Sequence, residues 1–371
     1  MRVLAVDVGT GTQDILLFDS RYSVENSLKL VMPSPTLRVA QEVAAATRDG
    51  AGVVLSGVIM GGGPCAWAIE KHLRAGLPVW ATPTAARTFN DDLQEVAAMG
   101  VTLVSDDEAA RLGGARRVVM GDFHLPTIEA ALRAFGVAPD IDALALAVFD
   151  HGDSPPGYSD RRFRFDYLRE RLAAGAGLTG FAFWADHIPP RFTRLQAVAD
   201  SAPDGLPTLV MDTGPAAVLG ALDDPRVRDA AGRGAIVANI GNFHSLAFHI
   251  VASRIVGLFE HHTGELTPME LAAYLDKLAE GTITNEEVFA DMGHGALVLE
   301  AAPRPDFVAA TGPRRGHLRG TGLDVYLAVP HGDMMMAGPF GMLRALASLD
   351  PEHGAELAAA LDGRAAPESL W

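Results

Sequence analysis

The residues best suited to chemistry lie in a Gly/Thr-rich turn near the start of the sequence. Asp7 ends a short run of β-branched and apolar residues, and the turn after it leads straight into a second such run. A tight turn of small residues exposes backbone N–H groups and two hydroxyls to an anion, and an aspartate beside it can hold a metal-bound water. A plain hairpin turn is the alternative, but a buried aspartate is costly without a partner. The residues predicted to bind the anion are Gly9, Thr10, Gly11, Thr12 and Gln13.

A second turn of similar make-up occurs in the other half of the chain, between runs that also read as strands. It contains Gly241 and Asn242, and it is preceded by Asn239 where the first turn has an aspartate. Each half also has an apolar run that ends in His-Gly-Asp, at residues 151–153 and 331–333. These matched features indicate a duplicated fold, with an N-terminal lobe over residues 1–200 and a C-terminal lobe over residues 201–371.

The twelve histidines form a further group of candidates, because several stand beside Asp or Glu at predicted strand ends. Such side chains can ligate Zn²⁺, Mn²⁺ or Fe²⁺, or act as general bases. For each one alone, a hydrogen-bonded partner of a buried aspartate is the commoner explanation. Adjacent His261 and His262 would point to opposite faces of a strand, so at most one of them faces a given site. The second-rank substrate or metal candidates are Asp150, His151, Asp153, His261, His331 and Asp333.

The elements that must position these residues follow an α/β pattern, with short β-branched runs alternating with Ala/Leu-rich stretches. Residues 3–8 and 14–18 predict a hairpin around the first turn. Three further strands, 234–240, 244–252 and 254–259, are joined by short turns. The basic and aromatic stretch 158–171 predicts an inter-lobe or rim segment. Such a stretch is usually a solvated face, although in an acidic protein it could engage an anionic substrate or a partner.

Composition excludes several classes of function. The chain has 371 residues and a formal charge of −16, which argues against nucleic-acid binding because that needs clustered Arg and Lys. One cysteine, Cys65, excludes disulfides, Cys-based zinc sites and Cys-ligated iron–sulfur clusters within the chain. No apolar run reaches the length of a membrane span, and no basic leader with a cleavage site precedes the first strand. The sequence therefore predicts a cytoplasmic protein without a membrane partner.

The two turns and a segment before the second resemble the actin-like ATPase superfamily, which includes sugar kinases, Hsp70-type chaperones and activator ATPases. Residues 212–220 look like the sugar-kinase segment with the catalytic aspartate, and residues 329–341 look like the adenosine motif. The resemblance implies a duplicated RNase H-like α/β fold of two lobes, with central mixed sheets and flanking helices. It also implies ATP and Mg²⁺ in the cleft, Asp7 and Asp212 as catalytic and metal-positioning residues, and Gly338 at the adenosine. Asn239 departs from the aspartate of many members, which weakens the case for ordinary turnover.

The whole chain is also similar to a bacterial and archaeal family that carries the label of a pyruvate formate-lyase activating enzyme. Its motifs are residues 7–12, 149–152, 259–264 and 331–335. The label implies radical chemistry on a cluster bound by CxxxCxxC, which a chain with a single cysteine cannot build.

The sequence therefore predicts an ATP-binding phosphoryl-transfer protein, either a small-molecule kinase or an ATPase that activates a partner enzyme. One alternative is a non-hydrolysing metal- or metabolite-binding protein that uses the His and Asp strand ends. Another is a Rossmann-type enzyme that binds a dinucleotide with the loop at residues 61–63, although close packing is the simpler explanation of that loop.

Overall fold

The computed structural model describes residues 1–364, which form three β-sheets and flanking helices. The strands are, in chain order, β1 (Arg2–Val8), β2 (Thr12–Asp19), β3 (Leu28–Pro33), β4 (Val53–Gly57), β5 (Val79–Ala81), β6 (Val101–Leu103), β7 (Arg116–Met120), β8 (Ala143–Val148), β9 (Ala182–Trp184), β10 (Thr208–Asp212), β11 (Ala235–Ile240), β12 (His244–Val251), β13 (Arg254–His262), β14 (Gly295–Val298), β15 (Val308–Thr311) and β16 (Val325–Leu327).

The α-helices connect these strands and cover the sheets. They are, in chain order, α1 (Pro35–Asp49), α2 (Pro64–Arg74), α3 (Pro83–Ala86), α4 (Leu93–Ala98), α5 (Asp106–Arg111), α6 (Leu125–Ala134), α7 (Asp160–Ala173), α8 (Thr193–Asp200), α9 (Thr213–Ala221), α10 (Pro225–Arg233), α11 (Pro268–Glu280), α12 (Asn285–Ala290), α13 (Ala337–Leu349) and α14 (Gly354–Leu361). In the part of the chain that the structure describes, no helix has the length and apolar character needed to cross a membrane.

Two of the sheets repeat the same arrangement. The first has the order β3-β2-β1-β8-β10-β9, and the second has the order β14-β13-β12-β11-β15-β16. In each, an opening strand (β1 or β11) pairs antiparallel with the next strand and parallel with a later one. The third strand of each half, β3 or β13, continues the antiparallel side. This repetition confirms the predicted duplicated α/β fold of two lobes, including the hairpin around residues 9–12 and the three consecutive strands from residue 235.

The third sheet is a separate unit between β3 and β8. Its four strands are all parallel, in the order β6-β5-β4-β7. Nothing in the sequence pattern indicated that these strands form a sheet of their own.

The lobe boundary remains a prediction. Strand β10 pairs with β8, so the first sheet extends past residue 200 to Asp212. The last seven residues of the predicted C-terminal lobe lie outside the described residues.

Alternation along β1 shows how the core positions the first turn. Leu4 and Val6 pack with one buried cluster, while Val3 and Ala5 pack with another on the opposite face. Both faces of β1 are therefore covered, as in the central strand of an α/β layer. Because the strand is fixed on both faces, the turn that follows it is held in one place.

Helices α9 and α13 cross at a point where their backbones are in direct contact. A Cβ atom on Gly220 would overlap the carbonyl oxygen of Ala337, and one on Gly341 would overlap that of Ala216. Only glycine permits this approach. The crossing brings α9, which follows the first sheet, against α13, which follows the second.

Candidate functional site

The two turns have the same internal geometry and face each other. The Gly9 N–H donates to the Thr12 carbonyl at 2.9 Å, and the Gly241 N–H donates to the His244 carbonyl at the same distance. A Cβ atom on Gly11 would overlap the side-chain amide of Asn242, so the turns touch across the gap between the two sheets.

A cavity of about 340 Å³ opens beside these turns. Nine of the residues predicted from the sequence line it: Asp7, Gly9, Thr10, Thr12, Asp150, His151, Gly241, Asn242 and Gly338. The third sheet contributes the loop at residues 61–63, and Asp14, Arg87, Arg194 and His244 complete much of the polar lining. The structure therefore brings most of the first-rank candidates to one place.

Several predicted residues lie elsewhere. The Gln13 amide donates to the Pro33 carbonyl at 3.1 Å, and Asp153 lies 3.6 Å from the Arg87 guanidinium. The Nε2 atom of His331 lies 3.0 Å from Asp223, and an Asp333 oxygen accepts a bond from the N–H two residues on. His261 faces Asp291 at 3.4 Å. None of these five side chains lines the cavity.

Asp7 and Asp14 form a pair of carboxylates on neighbouring strands. They are direct partners in the β1–β2 register, and both line the cavity. Burial raises the pKa of Asp7 to about 7, against the opposing effect of a hydrogen bond from the Thr213 hydroxyl. Burial, together with the charge of Asp7, raises the pKa of Asp14 to about 8. Oδ1 of Asp14 is buried without a hydrogen-bond partner, so this pair is suited to receive a cation.

Sequence reasoning missed Asp14, although the signal was local. Residues that lie opposite each other in an antiparallel pair project to the same face of the sheet. A four-residue turn between Asp7 and its partner strand therefore places Asp14 beside Asp7.

Gly338 makes room for the Asp7 carboxylate. A Cβ atom at this position would overlap Oδ2 of Asp7, so the first turn of α13 lies directly against the acid. The predicted contact of Gly338 with an adenosine remains a prediction.

Asp212 is engaged in a buried ion pair and does not line the cavity. Arg164 on α7 donates to both of its oxygens, at 2.5 and 3.1 Å, and the Gly214 N–H adds a bond of 3.0 Å that caps α9. On its other side, Arg164 donates twice to Glu260 on β13, at 2.7 Å each. The basic segment thus forms a helix whose central arginine joins the two sheets, and both Asp212 oxygens already have partners.

Three histidines meet beside the turns. Ring nitrogens of His151, His244 and His294 all lie within 4.8 Å of one another. Burial lowers the pKa of each imidazole well below its ordinary value, and the neighbouring histidines and Arg164 add to the shift. The rings are therefore neutral at physiological pH.

Of these three, the sequence singled out only His151 as a site residue. His244 was not among the predicted site residues, and His294 carried no signal. The position of His294 is set by its backbone N–H, which donates to the Glu260 carbonyl at 2.9 Å where β14 joins β13.

The loop at residues 61–63 follows β4 and precedes α2, as a dinucleotide loop would. Its Gly61 N–H, however, lies 3.2 Å from each oxygen of Asp122, which is itself paired with Arg194 at 2.7 Å. Strand β5 is followed by Thr82, not by the acid that binds a ribose in dinucleotide sites. These contacts favour a packed loop.

Cys65 lies in the first turn of α2, where it is buried. Burial raises the pKa of its thiol to about 11. The thiol is therefore protonated at neutral pH and is not a reactive thiolate.

The duplicated sheets, with a turn from each at a shared cavity, define a protein of the actin-like ATPase fold. Residues 60–317 match the family described as "Putative pyruvate format-lyase activating enzyme (DUF1786)", and the chain belongs to that family. Among curated proteins, none matches the sequence.

The solved structures that match this chain include three from different systems. The ethanolamine utilization protein EutJ from Carboxydothermus hydrogenoformans is 14% identical, with 93% of this chain and 89% of that one covered and a TM-score of 0.32. The PilM-PilN type IV pilus biogenesis complex is 11% identical, with 99% of each chain covered and a TM-score of 0.36. The ROK hexokinase from Thermus thermophilus is 12% identical, with 92% of this chain and 98% of that one covered and a TM-score of 0.30.

Proposed function

We propose that this protein binds ATP with Mg²⁺ in the cavity between the two turns and passes the terminal phosphoryl group to a small molecule or to water. The observation that carries the proposal is the matched pair of turns, each closed by the same hydrogen bond, on one cavity. Backbone turns of this type are suited to bind phosphate oxygens. Thr10 and Thr12 add hydroxyls on the side of the first turn.

The charge of the cavity supports a requirement for a divalent cation. Two arginines, Arg87 and Arg194, are outnumbered by five aspartates in the lining: Asp7, Asp14, Asp91, Asp150 and Asp160. When these carboxylates are ionised, they would repel a polyphosphate unless a cation came with it. Mg²⁺ prefers carboxylate, water and phosphate oxygens as ligands, and the Asp7–Asp14 pair offers the carboxylates.

The residues of the chain would then act mainly by positioning. Phosphoryl transfer needs alignment and charge neutralisation more than covalent help, and Mg²⁺ supplies part of that neutralisation when it is bound. The Thr213 hydroxyl orients Asp7, and Gly338 leaves space for its carboxylate. The corresponding residue before the second turn is Asn239, so the carboxylates that face the metal come from the first lobe.

Thermal-shift titration with ATP, ADP and NAD, each with and without Mg²⁺, tests the proposal. Mg-ATP at 100 times its dissociation constant should raise the free energy of unfolding by about 2.7 kcal/mol. We expect this gain in the wild type and its loss in Asp7→Ala. Asp204→Ala is the control, because this aspartate is exposed and lies outside the cavity lining.

The other outcomes separate the alternatives. If no nucleotide stabilises the wild type in the presence of Mg²⁺, the proposal is wrong. Stabilisation by NAD that survives Asp7→Ala would favour the Rossmann-type alternative. Mg-ATP binding without phosphate release, and without transfer to any of a panel of small-molecule acceptors, would favour the non-hydrolysing alternative.

A further inference from the structure

The three clustered histidines have the spacing of metal ligands. His151 follows β8 in the first sheet, whereas His244 begins β12 and His294 precedes β14 in the second. The Nε2 atoms of His151 and His294 face each other at 3.4 Å. Two nitrogens bound tetrahedrally at ordinary zinc–nitrogen distances would be about 3.4 Å apart. Two of the three ligand atoms therefore already stand at the required separation.

Hydrogen bonding leaves these rings incompletely satisfied. Nε2 of His244 and Nδ1 of His294 are buried without a hydrogen-bond partner. A buried polar atom without a partner is costly, and a bound ion would remove that cost for Nε2 of His244, whereas Nδ1 of His294 faces Glu260.

A carboxylate stands behind one of the rings. Oε2 of Glu260 lies 3.6 Å from Nδ1 of His294, on the side of the ring away from His151. Metal-bound histidines commonly have a carboxylate next to the other ring nitrogen, which sets their orientation. Arg164 holds Glu260 in place through two hydrogen bonds of 2.7 Å.

Aromatic packing explains only part of this arrangement. His244 stacks on Phe149 with ring centroids 4.1 Å apart and nearly parallel planes. Stacking explains the orientation of the His244 ring. It does not explain why the Nε2 atoms of His151 and His294 face each other.

We propose that His151, His244 and His294 bind one transition-metal ion, such as Zn²⁺ or Fe²⁺, at a site distinct from the Mg²⁺ position. Imidazole ligands suit these ions, whereas Mg²⁺ prefers oxygen. His151 and His244 line the cavity, so an ion held by them would border it. Three protein ligands with one open position are typical of metal sites that bind water or a substrate oxygen. The ion also links the two sheets, because its ligands come from both.

Metal titration of the chelator-treated full-length protein tests this site. We expect one equivalent of Co²⁺ to bind with visible ligand-field absorption, and Zn²⁺ to displace it. Changing a residue that only contacts a metal ligand typically weakens metal binding by roughly 10–100-fold. His294→Gln and His244→Gln each remove a ligand, so they should weaken Co²⁺ binding by more than that. His187→Gln is the control, because that histidine is exposed and contacts only Asp186 among the described side chains.

The wild type alone also decides the question if the variants do not fold. One equivalent of Zn²⁺, which is diamagnetic, should change the imidazole NMR signals of His151, His244 and His294 most strongly, and those of histidines far from the cluster should stay unchanged. Absence of stoichiometric binding to the wild type overturns the proposal, as does full affinity in both folded cluster variants. Neither result bears on nucleotide binding, which the Mg-ATP titration of Asp7→Ala tests separately.

Discussion

The pKa values of Asp7 and Asp14 are both raised, and that of Asp14 depends on the charge of Asp7. Each carboxylate is removed from water, and the charge of Asp7 also disfavours ionisation of Asp14. In the absence of a cation, the pair therefore costs stability when it is ionised. A metal ion would relieve this cost, which explains why such a pair can persist on a cavity wall.

Asp14→Asn should alter the pH dependence of stability. The folded pKa of about 8 exceeds the ordinary value of 3.8, so the wild type loses free energy of unfolding as pH rises from about 4 through 8. Between pH 5 and pH 9 the variant should lose about 4 kcal/mol less, because about three units of the shift fall in this range and each unit corresponds to about 1.4 kcal/mol. Urea denaturation of the metal-free proteins at pH 5 and pH 9 measures the difference. Parallel curves for the two proteins would contradict the assigned shift.

The catalytic role of Asp212 remains a prediction from its motif. Its segment looks like the one that carries a catalytic aspartate, yet its two oxygens are held by Arg164 and by the amino end of α9. The partner that engages it lies 48 residues earlier in the chain. The motif therefore predicts that an aspartate stands at this strand end, but not what it binds.

At the scale of elements, the crossing of α9 and α13 packs the helix that follows β10 against a helix near the end of the chain. Gly220 and Gly341 let each helix backbone reach a carbonyl of the other. The same helix α13 places its first turn against Asp7. The sequence indicated the Gly-rich start of this helix as an adenosine motif, and its glycines also serve helix packing.

Gly220→Ala should disturb this crossing. The added methyl group would overlap the Ala337 carbonyl, so we expect a loss of about 3 kcal/mol or more, at the upper end of what overpacking costs. Gly232→Ala is the matched control, because α10 has open space at that position and alanine favours a helix by up to about 1 kcal/mol. Chemical denaturation of both variants makes the comparison. Equal stability of the two would contradict the tight crossing.

At the scale of the whole molecule, Arg164 ties the two sheets together. It is almost completely buried and donates to Asp212 at the end of β10, to Glu260 on β13 and to the Asp150 carbonyl after β8. Its guanidinium also lies 3.8 Å from the centre of the Phe149 ring. One side chain thus connects the turn-bearing lobes next to the histidine cluster.

Arg164→Leu should destabilise the whole protein. Removing one partner of a buried ion-pair network leaves two carboxylates uncompensated, which costs about 3–5 kcal/mol. Arg169→Ala, on the exposed face of the same helix, should change stability by less than about 0.5 kcal/mol. Denaturant titration and calorimetry of both variants test this. An Arg164→Leu protein as stable as the wild type would show that the network contributes little.

The sequence by itself determined the local features of this protein. The turn at residues 9–12, the antiparallel partner of β1 and the three strands from residue 235 were all predictable. The reason is that a short turn fixes the register of its hairpin, and alternation of side chains then sets which residues share a face. Asp14 could have been found by the same reasoning.

Only the tertiary structure decided the contacts between distant segments. Arg164 with Glu260, His151 with His294 and Thr213 with Asp7 are separated by 96, 143 and 206 residues. Such pairs depend on how sheets and helices pack, which no local spacing encodes. The all-parallel third sheet could not be predicted from the sequence for the same reason. Parallel strands are joined by long crossover connections, so their pairing is not set by a short turn.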